Sequence, residues 1–285
     1  MRNILLKIAY DGTDFSGWQR QPDKRTVCGT LEAALSELLG FEVKLDGTSR
    51  TDAGVHALGQ CASLVIPDDG IPTERLAKAV NDRLSFGRLE GIGDVRVLSA
   101  EEMPEGFHAR YSSEGKRYIY RIYVSPVKSV FRRTRFYQLQ GPLDLVAMSS
   151  AARLLSGEHD FAAFMSSGST PQESTVRTIY GIDLNIYPAE ESPRDAFGGF
   201  LDRLEPGDDP QFPYELRISV SGNGFLYNMV RIIVGTLVEV GQGKRDVQSV
   251  SEALEKGDRG LAGHTAPPQG LYLDEVFFAR ETLKS

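Results

Sequence analysis

The chain has 285 residues, 41% of them hydrophobic, enough to bury a sizeable core in one large domain or two ordinary ones. Its formal net charge of −7 argues against a protein that simply coats nucleic acid, and no apolar run approaches the roughly 20 residues of a membrane span. Two cysteines, Cys28 and Cys61, and four scattered histidines offer no zinc-ligand spacing, so no metal centre is expected, and a reducing cytoplasm is the expected compartment.

In chain order, the first half reads as a strand at 4–10 (ILLKIAY) and a helix at 29–39 with apolar residues at 31, 34, 35 and 38. Strands at 41–46 and 57–66, a helix at 73–85 and a strand at 92–99 follow. The second half reads as a strand at 116–125, a short one near 135–140, a helix at 143–155 and strands at 175–187 and 214–221. Helices at 225–240 and 246–256 and a last strand at 271–279 complete it. Each half has the order βαββαβ, the second with additions. The expected fold is therefore α+β: two ferredoxin-like halves, 1–106 and 107–285, related by a pseudo-repeat. In that pattern the helices cover one face of a mixed, largely antiparallel sheet and leave the other free, and two free faces side by side make a central cleft.

Charge is unevenly spread. From Arg110 to Arg135 eight basic residues (Arg110, Lys116, Arg117, Arg121, Lys128, Arg132, Arg133, Arg135) stand against one acid, Glu114. From Asp183 to Glu215 nine acids stand against Arg194 and Arg203. Either run alone reads as a solvated face. The basic one is interleaved with Tyr111, Tyr118, Tyr120, Tyr123 and Phe131, the combination an RNA surface needs for phosphates and stacked bases. Within the acidic one, 188–213 (PAEESPRDAFGGFLDRLEPGDDPQFP) is long and rich in Pro, Gly and Asp, and reads as an insertion.

The loop GTSRTDAGVHALGQ (47–60) carries an arginine, an aspartate and a histidine within seven residues. Gly47 and Gly54 permit sharp turns that project Arg50 and Asp52. A carboxylate beside a guanidinium stays ionised and oriented, which suits a nucleophile or electrostatic stabiliser better than a general acid. For an arbitrary Asp-Ala-Gly, however, a structural carboxylate accepting turn amides is the commoner case. His56 lacks a serine or cysteine nucleophile motif and reads as a structural hydrogen-bonding group. In SGNGFLYNMVRIIVG (221–235) the spacing of a dinucleotide fingerprint fails and no phosphate-loop lysine follows, so no nucleotide cofactor is expected. Arg231 falls among Met229, Val230, Ile232, Ile233 and Val234, where a charge needs a partner; it either faces an anion or reaches water along its apolar stem.

Five segments together carry a family resemblance: YDGTDFSGWQRQ (10–21), SRTDAGVHALGQ (49–60), FHARYSSEGKRYIYRIY (107–123), NMVRIIVGTLVEVG (228–241) and GLYL (270–273). In that order and at those separations the chain resembles the tRNA pseudouridine synthase A family almost end to end. It departs in having serine before Arg50, where glycine is common, and in the length of the acidic insertion.

The resemblance implies an isomerase that converts uridine to pseudouridine in the tRNA anticodon stem-loop, at tRNA positions 38 to 40, without metal or cofactor. It implies Asp52 as nucleophile and Arg231 as the arginine paired with it. Tyr118 then stacks on the flipped base, Leu271 lies on its other face, and Arg50 holds or replaces the flipped nucleotide, since a base in a stem must leave the stack to react. Arg110, Lys116 and Arg117, in the basic segment, are candidates for tRNA contact, with Arg20, Lys24 and Arg25 as further candidates. The family resemblance also implies a homodimer. Two rivals remain. A non-catalytic tandem RNA-binding module would need a glycine-spaced aromatic run that KRYIYRIY lacks, and a carboxylate-dependent glycosidase would need a second acid, for which no residue stands out.

Overall fold

The computed structural model of the chain describes residues 1–87, 91–168, 173–188, 199–200 and 213–279. The architecture is mixed α+β. Its regular elements are β1 (Arg2–Tyr10), α1 (Val27–Leu39), β2 (Asp46–Gly47), β3 (His56–Ile66), α2 (Thr73–Leu84), β4 (Val95–Met103), β5 (Ser113–Val124) and β6 (Tyr137–Leu139). There follow α3 (Leu145–Leu154), β7 (Gly157–Asp160), β8 (Val176–Pro188), β9 (Gly199–Phe200), β10 (Tyr214–Gly222), α4 (Met229–Gly241), α5 (Gln248–Lys256) and β11 (Leu271–Phe278). Two compact units emerge, Met1–Lys116 with Tyr272–Ser285, and Arg117–Leu271. Among the described residues no helix is long and apolar enough to cross a membrane.

In the first unit the strands run in the order β4-β1-β3-β11, with β2 also on β3. β1 is antiparallel to both neighbours, Leu6 facing Ala62 on β3 and Ala100 on β4. Alternation along β1 puts Ile4, Leu6 and Ile8 on one side, all fully buried, as are Leu31 and Leu35 of α1 and Leu76 and Val80 of α2. Thr26 caps α1 through its hydroxyl, which accepts from the Gly29 amide, and Gly40 ends it in the left-handed conformation. β11 joins in parallel, Tyr272 opposite His56.

Two expectations change here. The strand expected at 41–46 is reduced to Asp46–Gly47, because side chains of α1 take the amides that a ladder would use. Val43 N donates to Ser36 Oγ (2.9 Å) and Leu45 N to Glu32 Oε1 (3.0 Å). The sheet's second face is also not left bare. Asn3 Nδ2 donates to Phe107 O (2.6 Å) and Ala109 N to Ser63 Oγ (3.1 Å), while the Phe107 ring lies 5.4 Å from that of Phe278. Asn3 and Ser63 point away from Ile4 and Leu64 by strand alternation, so residues 107–109 cross the side opposite those core residues.

In the second unit the order is β5-β10-β8-β7, with β6 parallel to β5 and β9 on β8. β10 and β8 are antiparallel, Ile218 facing Leu184. β7, missed in the sequence, extends the edge through four pairs with β8. Nearly every side chain of α4 is buried, and the loop after α5 presses on its backbone: a Cβ on Gly235 would stand 1.8 Å from the His264 carbonyl oxygen. The helix expected at 225–240 starts only at Met229, because Asn228 has left-handed backbone (φ +61°). Apart from its first residue, its last residue and the β9 backbone, the acidic insertion 188–213 lies outside the described residues.

The polar centre of this unit is Glu215, 6% exposed on β10. Arg121 on β5 grips it with Nε to Oε1 (2.6 Å) and Nη2 to Oε2 (2.9 Å), and Arg217 Nε reaches Oε1 at 2.6 Å. Aromatic faces back both arginines, Phe136 at 4.2 Å from the Arg121 guanidinium and Tyr187 at 4.0 Å from that of Arg217. Burial pushes the Glu215 carboxyl up, but the bonds from Arg121 and Arg217 outweigh it and leave the group below its ordinary value. A folded-state value below the unfolded one means that this stabilisation is fully present above the ordinary glutamate range and is lost as pH falls through the lowered value. Glu215→Gln is expected to cost about 2–3 kcal/mol at neutral pH and to make the acid limb of stability shallower. Denaturant unfolding of both proteins across acidic pH measures this; parallel acid limbs would remove Glu215 from the titration.

Candidate active site

The loop that follows β2 is clamped by the turn that follows β1. Thr51 is held twice: its hydroxyl lies 2.7 Å from Tyr10 Oη, and its carbonyl accepts from Trp18 N at 3.0 Å. Gly54 N donates to Phe15 O (3.3 Å), and Val55 N closes a turn onto Asp52 O (3.1 Å). The two segments approach as closely as backbones can. A Cβ on Gly12 would stand 2.0 Å from Val55 O, and one on Gly17, whose φ is +92°, would stand 2.7 Å from Thr51 O. The Trp18 indole covers Gly47 in the same way, its Nε1 2.4 Å from where a Cβ would be. Within this clamp Thr51 and Val55 are buried, Asp52 is half-buried and Arg50 is exposed.

Behind the loop sits His56, 2% exposed and stacked on Tyr272 (4.6 Å between centroids, 19° between planes). Its Nδ1 lies 3.0 Å from the Gly12 amide and 3.2 Å from Asp11 Oδ1. The neutral ring accepts from the amide there, and the protonated ring donates to the carboxylate, so either state ties β3 to the 11–13 turn. The His56 hydrogen bond, with those of Thr13, holds the Asp11 carboxyl well below the usual range despite its burial. The structural role read for His56 is thus given definite partners.

On the loop's other flank, Thr48 Oγ1 donates to Cys61 O (3.0 Å) and Ala109 O (3.2 Å). Lys116 Nζ donates to Thr48 O (3.1 Å); burial, with the Arg110 charge adding to it, lowers this lysine to about 8. Arg110 is exposed and lies 5.8 Å from the ring of Tyr111, which is 77% exposed. Asp52, Arg50, Lys116 and Arg110 therefore all belong to the first unit, around one loop.

The second unit carries the other expected residues. Tyr118, 8% exposed, meets Phe225 edge-on at 5.2 Å. Arg117 precedes it on β5, half-buried, and Leu271, 6% exposed, begins β11. Arg231 is the half-buried exception between the buried Val230 and Ile232. Its Nε donates to Ala266 O (2.7 Å) and its Nη1 to Asn228 Oδ1 (2.8 Å). Asn228 was not singled out in the sequence, although its place directly before the apolar helix that contains Arg231 was a usable signal. Part of the basic segment is committed internally: Arg121 to Glu215, and Arg132 over the rings of Tyr123 (4.7 Å) and Phe136 (5.2 Å).

Gly17→Ala combines a left-handed backbone with a methyl driven into the Thr51 carbonyl. It is expected to lower stability by about 1–3 kcal/mol and to disturb the Asp52 loop, read by denaturant unfolding; a stability equal to the parent's would show that the clamp gives freely.

A family description, tRNA pseudouridine synthase, matches residues 7–112 and 151–279. Among curated relatives, the tRNA pseudouridine synthase A of Ruminiclostridium cellulolyticum is 42% identical over 98% of this chain and 100% of its own. That of Acetivibrio thermocellus is 42% identical over the same shares. That of a Geobacillus species (strain WCH70) is 41% identical over 97% of this chain and 98% of its own. Asp52 and its clamped loop lie in the first matched segment and Arg231 with α4 in the second, and the chain belongs to the tRNA pseudouridine synthase family.

Proposed function

We propose that this chain isomerises uridine to pseudouridine in the anticodon stem-loop of tRNA, at tRNA positions 38 to 40, with Asp52 as the nucleophile. The observation that carries the assignment of Asp52 is the clamp. The residue before it is fixed through both side chain and carbonyl, and the amide two residues after it is bonded to Phe15, so a half-buried carboxylate is presented on a backbone that has little freedom. Cleavage at N1, rotation of the uracil and rejoining through C5 require an ionised, oriented carboxylate screened from water, so that the detached base is retained.

Arg231 supplies the counter-charge to Asp52, Tyr118 stacks on the flipped base, and Leu271 lies against its other face. Arg50, exposed on the loop, holds or replaces the flipped nucleotide. Arg110, Lys116 and Arg117 meet the tRNA backbone. The enzyme acts as a homodimer in the cytoplasm and needs neither metal nor cofactor. The fold reading that accompanies this is a pair of ferredoxin-like halves, 1–106 and 107–285. It is supported in the first unit by the order β4-β1-β3 with β2 on the far side of β3.

Asp52→Asn keeps the shape and removes the charge. It is expected to fold, to bind tRNA and to yield no pseudouridine, measured by a pseudouridine-specific assay on unmodified tRNA; parental turnover would remove Asp52 from the mechanism. Arg231→Met is expected to lower turnover much more than tRNA affinity and to move the acidic limb of the pH–rate profile upward, because a carboxylate without its counter-charge is harder to ionise. Near-normal turnover with an unmoved profile would dissolve the pair.

A further inference from the structure

Asparagine at the N-terminal boundary of a helix ordinarily turns its side chain onto the amide of the second or third helical residue. Asn228, at the start of α4, does not: it makes no side-chain cap. Its backbone is left-handed, and with Asp23 it is one of two non-glycine residues with positive φ among the described residues. The amide is instead spent sideways. Oδ1 accepts from Arg231 Nη1 at 2.8 Å, and Nδ2 donates to Ser166 Oγ at 3.0 Å. Ser166 is tied to the same turn through its own amide, which donates to Tyr227 O (3.2 Å).

Arg231 meets a second fixed acceptor. Its Nε donates to Ala266 O (2.7 Å), and the Ala266 amide returns a bond to Arg231 O (3.0 Å). The guanidinium is a planar fork, so one bond at its root and one at its tip define the plane. A capping residue in a disfavoured backbone that forgoes its cap for an arginine is a broken local rule of the kind held in place at functional sites.

We propose that Asn228 is a positioning residue that sets the plane of the Arg231 guanidinium for its work on the Asp52 carboxylate. This rests on the reading of Arg231 given above. Asn228 touches neither substrate nor reacting atoms; it acts through the arginine.

The test is Asn228→Gly, which keeps the left-handed backbone and removes only the amide, measured beside Arg231→Met and Asn228→Ala. For the glycine variant the expected result is an unchanged thermal midpoint, an unchanged KM for tRNA and a kcat lower by about tenfold or more, the scale of one lost hydrogen bond to a charged group. The acidic limb of its pH–kcat profile is expected to shift in the same direction as that of Arg231→Met. Asn228→Ala is expected to show the same kcat loss with a lowered thermal midpoint, since alanine is strained there. If the glycine variant keeps parental kcat while Arg231→Met has lost it, the positioning role fails and the reading of Arg231 stands. If both keep it, that reading fails and takes the proposal with it. A kcat loss in the glycine variant accompanied by an unmoved pH profile, or matched by a fall in thermal midpoint, would make Asn228 merely structural and overturn the proposal.

Discussion

The carbonyl oxygen of Thr51 is the point on which the placement of the Asp52 loop depends. It accepts from Trp18 N, and Gly17 must lack a side chain for the two backbones to come that close. A main-chain bond of this kind has no rotamers to lose, so it holds the next residue more tightly than a side-chain tether of equal strength. Gly12 against Val55 and Gly54 against Phe15 repeat the device on the far side of Asp52. The loop is thus a part of the sheet's own scaffold, although it contains no regular structure.

The second unit orients its charged groups in a different way. Arg121, Arg217 and Arg231 are all held by specific acceptors on side chains or on irregular backbone. For Glu215 the result is a carboxylate whose lone pairs are filled by two guanidinium groups, which offsets its desolvation. For Arg231 two of the acceptors are neutral, the Ala266 carbonyl and the Asn228 side-chain amide.

The strand β1 and the amphipathic spacing of α1 were legible in the sequence because they rest on local periodicity. The strand at 41–46 was not, because its amides are diverted to Ser36 and Glu32, side chains of a helix whose placement no local pattern states. The delayed start of α4 was hidden for a similar reason: Asn228 reads as an ordinary boundary residue until its partner Arg231 is seen to draw its side chain away from the cap. Asp52 as a candidate came from motif resemblance, since a lone Asp-Ala-Gly is as compatible with a turn. The clamp on that loop was not read in YDGTDFSGWQ, because what Gly12 and Gly17 approach, Val55 and Thr51, lies about 35 to 45 residues away. The crossing of 107–109 over the first sheet could not be read, because it depends on Asn3 and Ser63, which lie far away in sequence.

The edge of β3 is shared between two strands of very different origin. β2 pairs with it near Ala62 and Ser63 almost at once, whereas the parallel partner of His56 and Ala57 comes from β11, after the whole second unit. A growing chain adds about 5–20 residues each second, so the segment from Arg117 to Leu271 takes on the order of ten seconds to emerge. During that interval the first unit stands with the end of β3 nearest the Asp52 loop unpaired, and Tyr272 has not yet arrived to stack on His56. The newborn N-terminal sheet is therefore open to unwanted strand pairing at this edge, and β11, made after the whole second unit, is the strand that closes it.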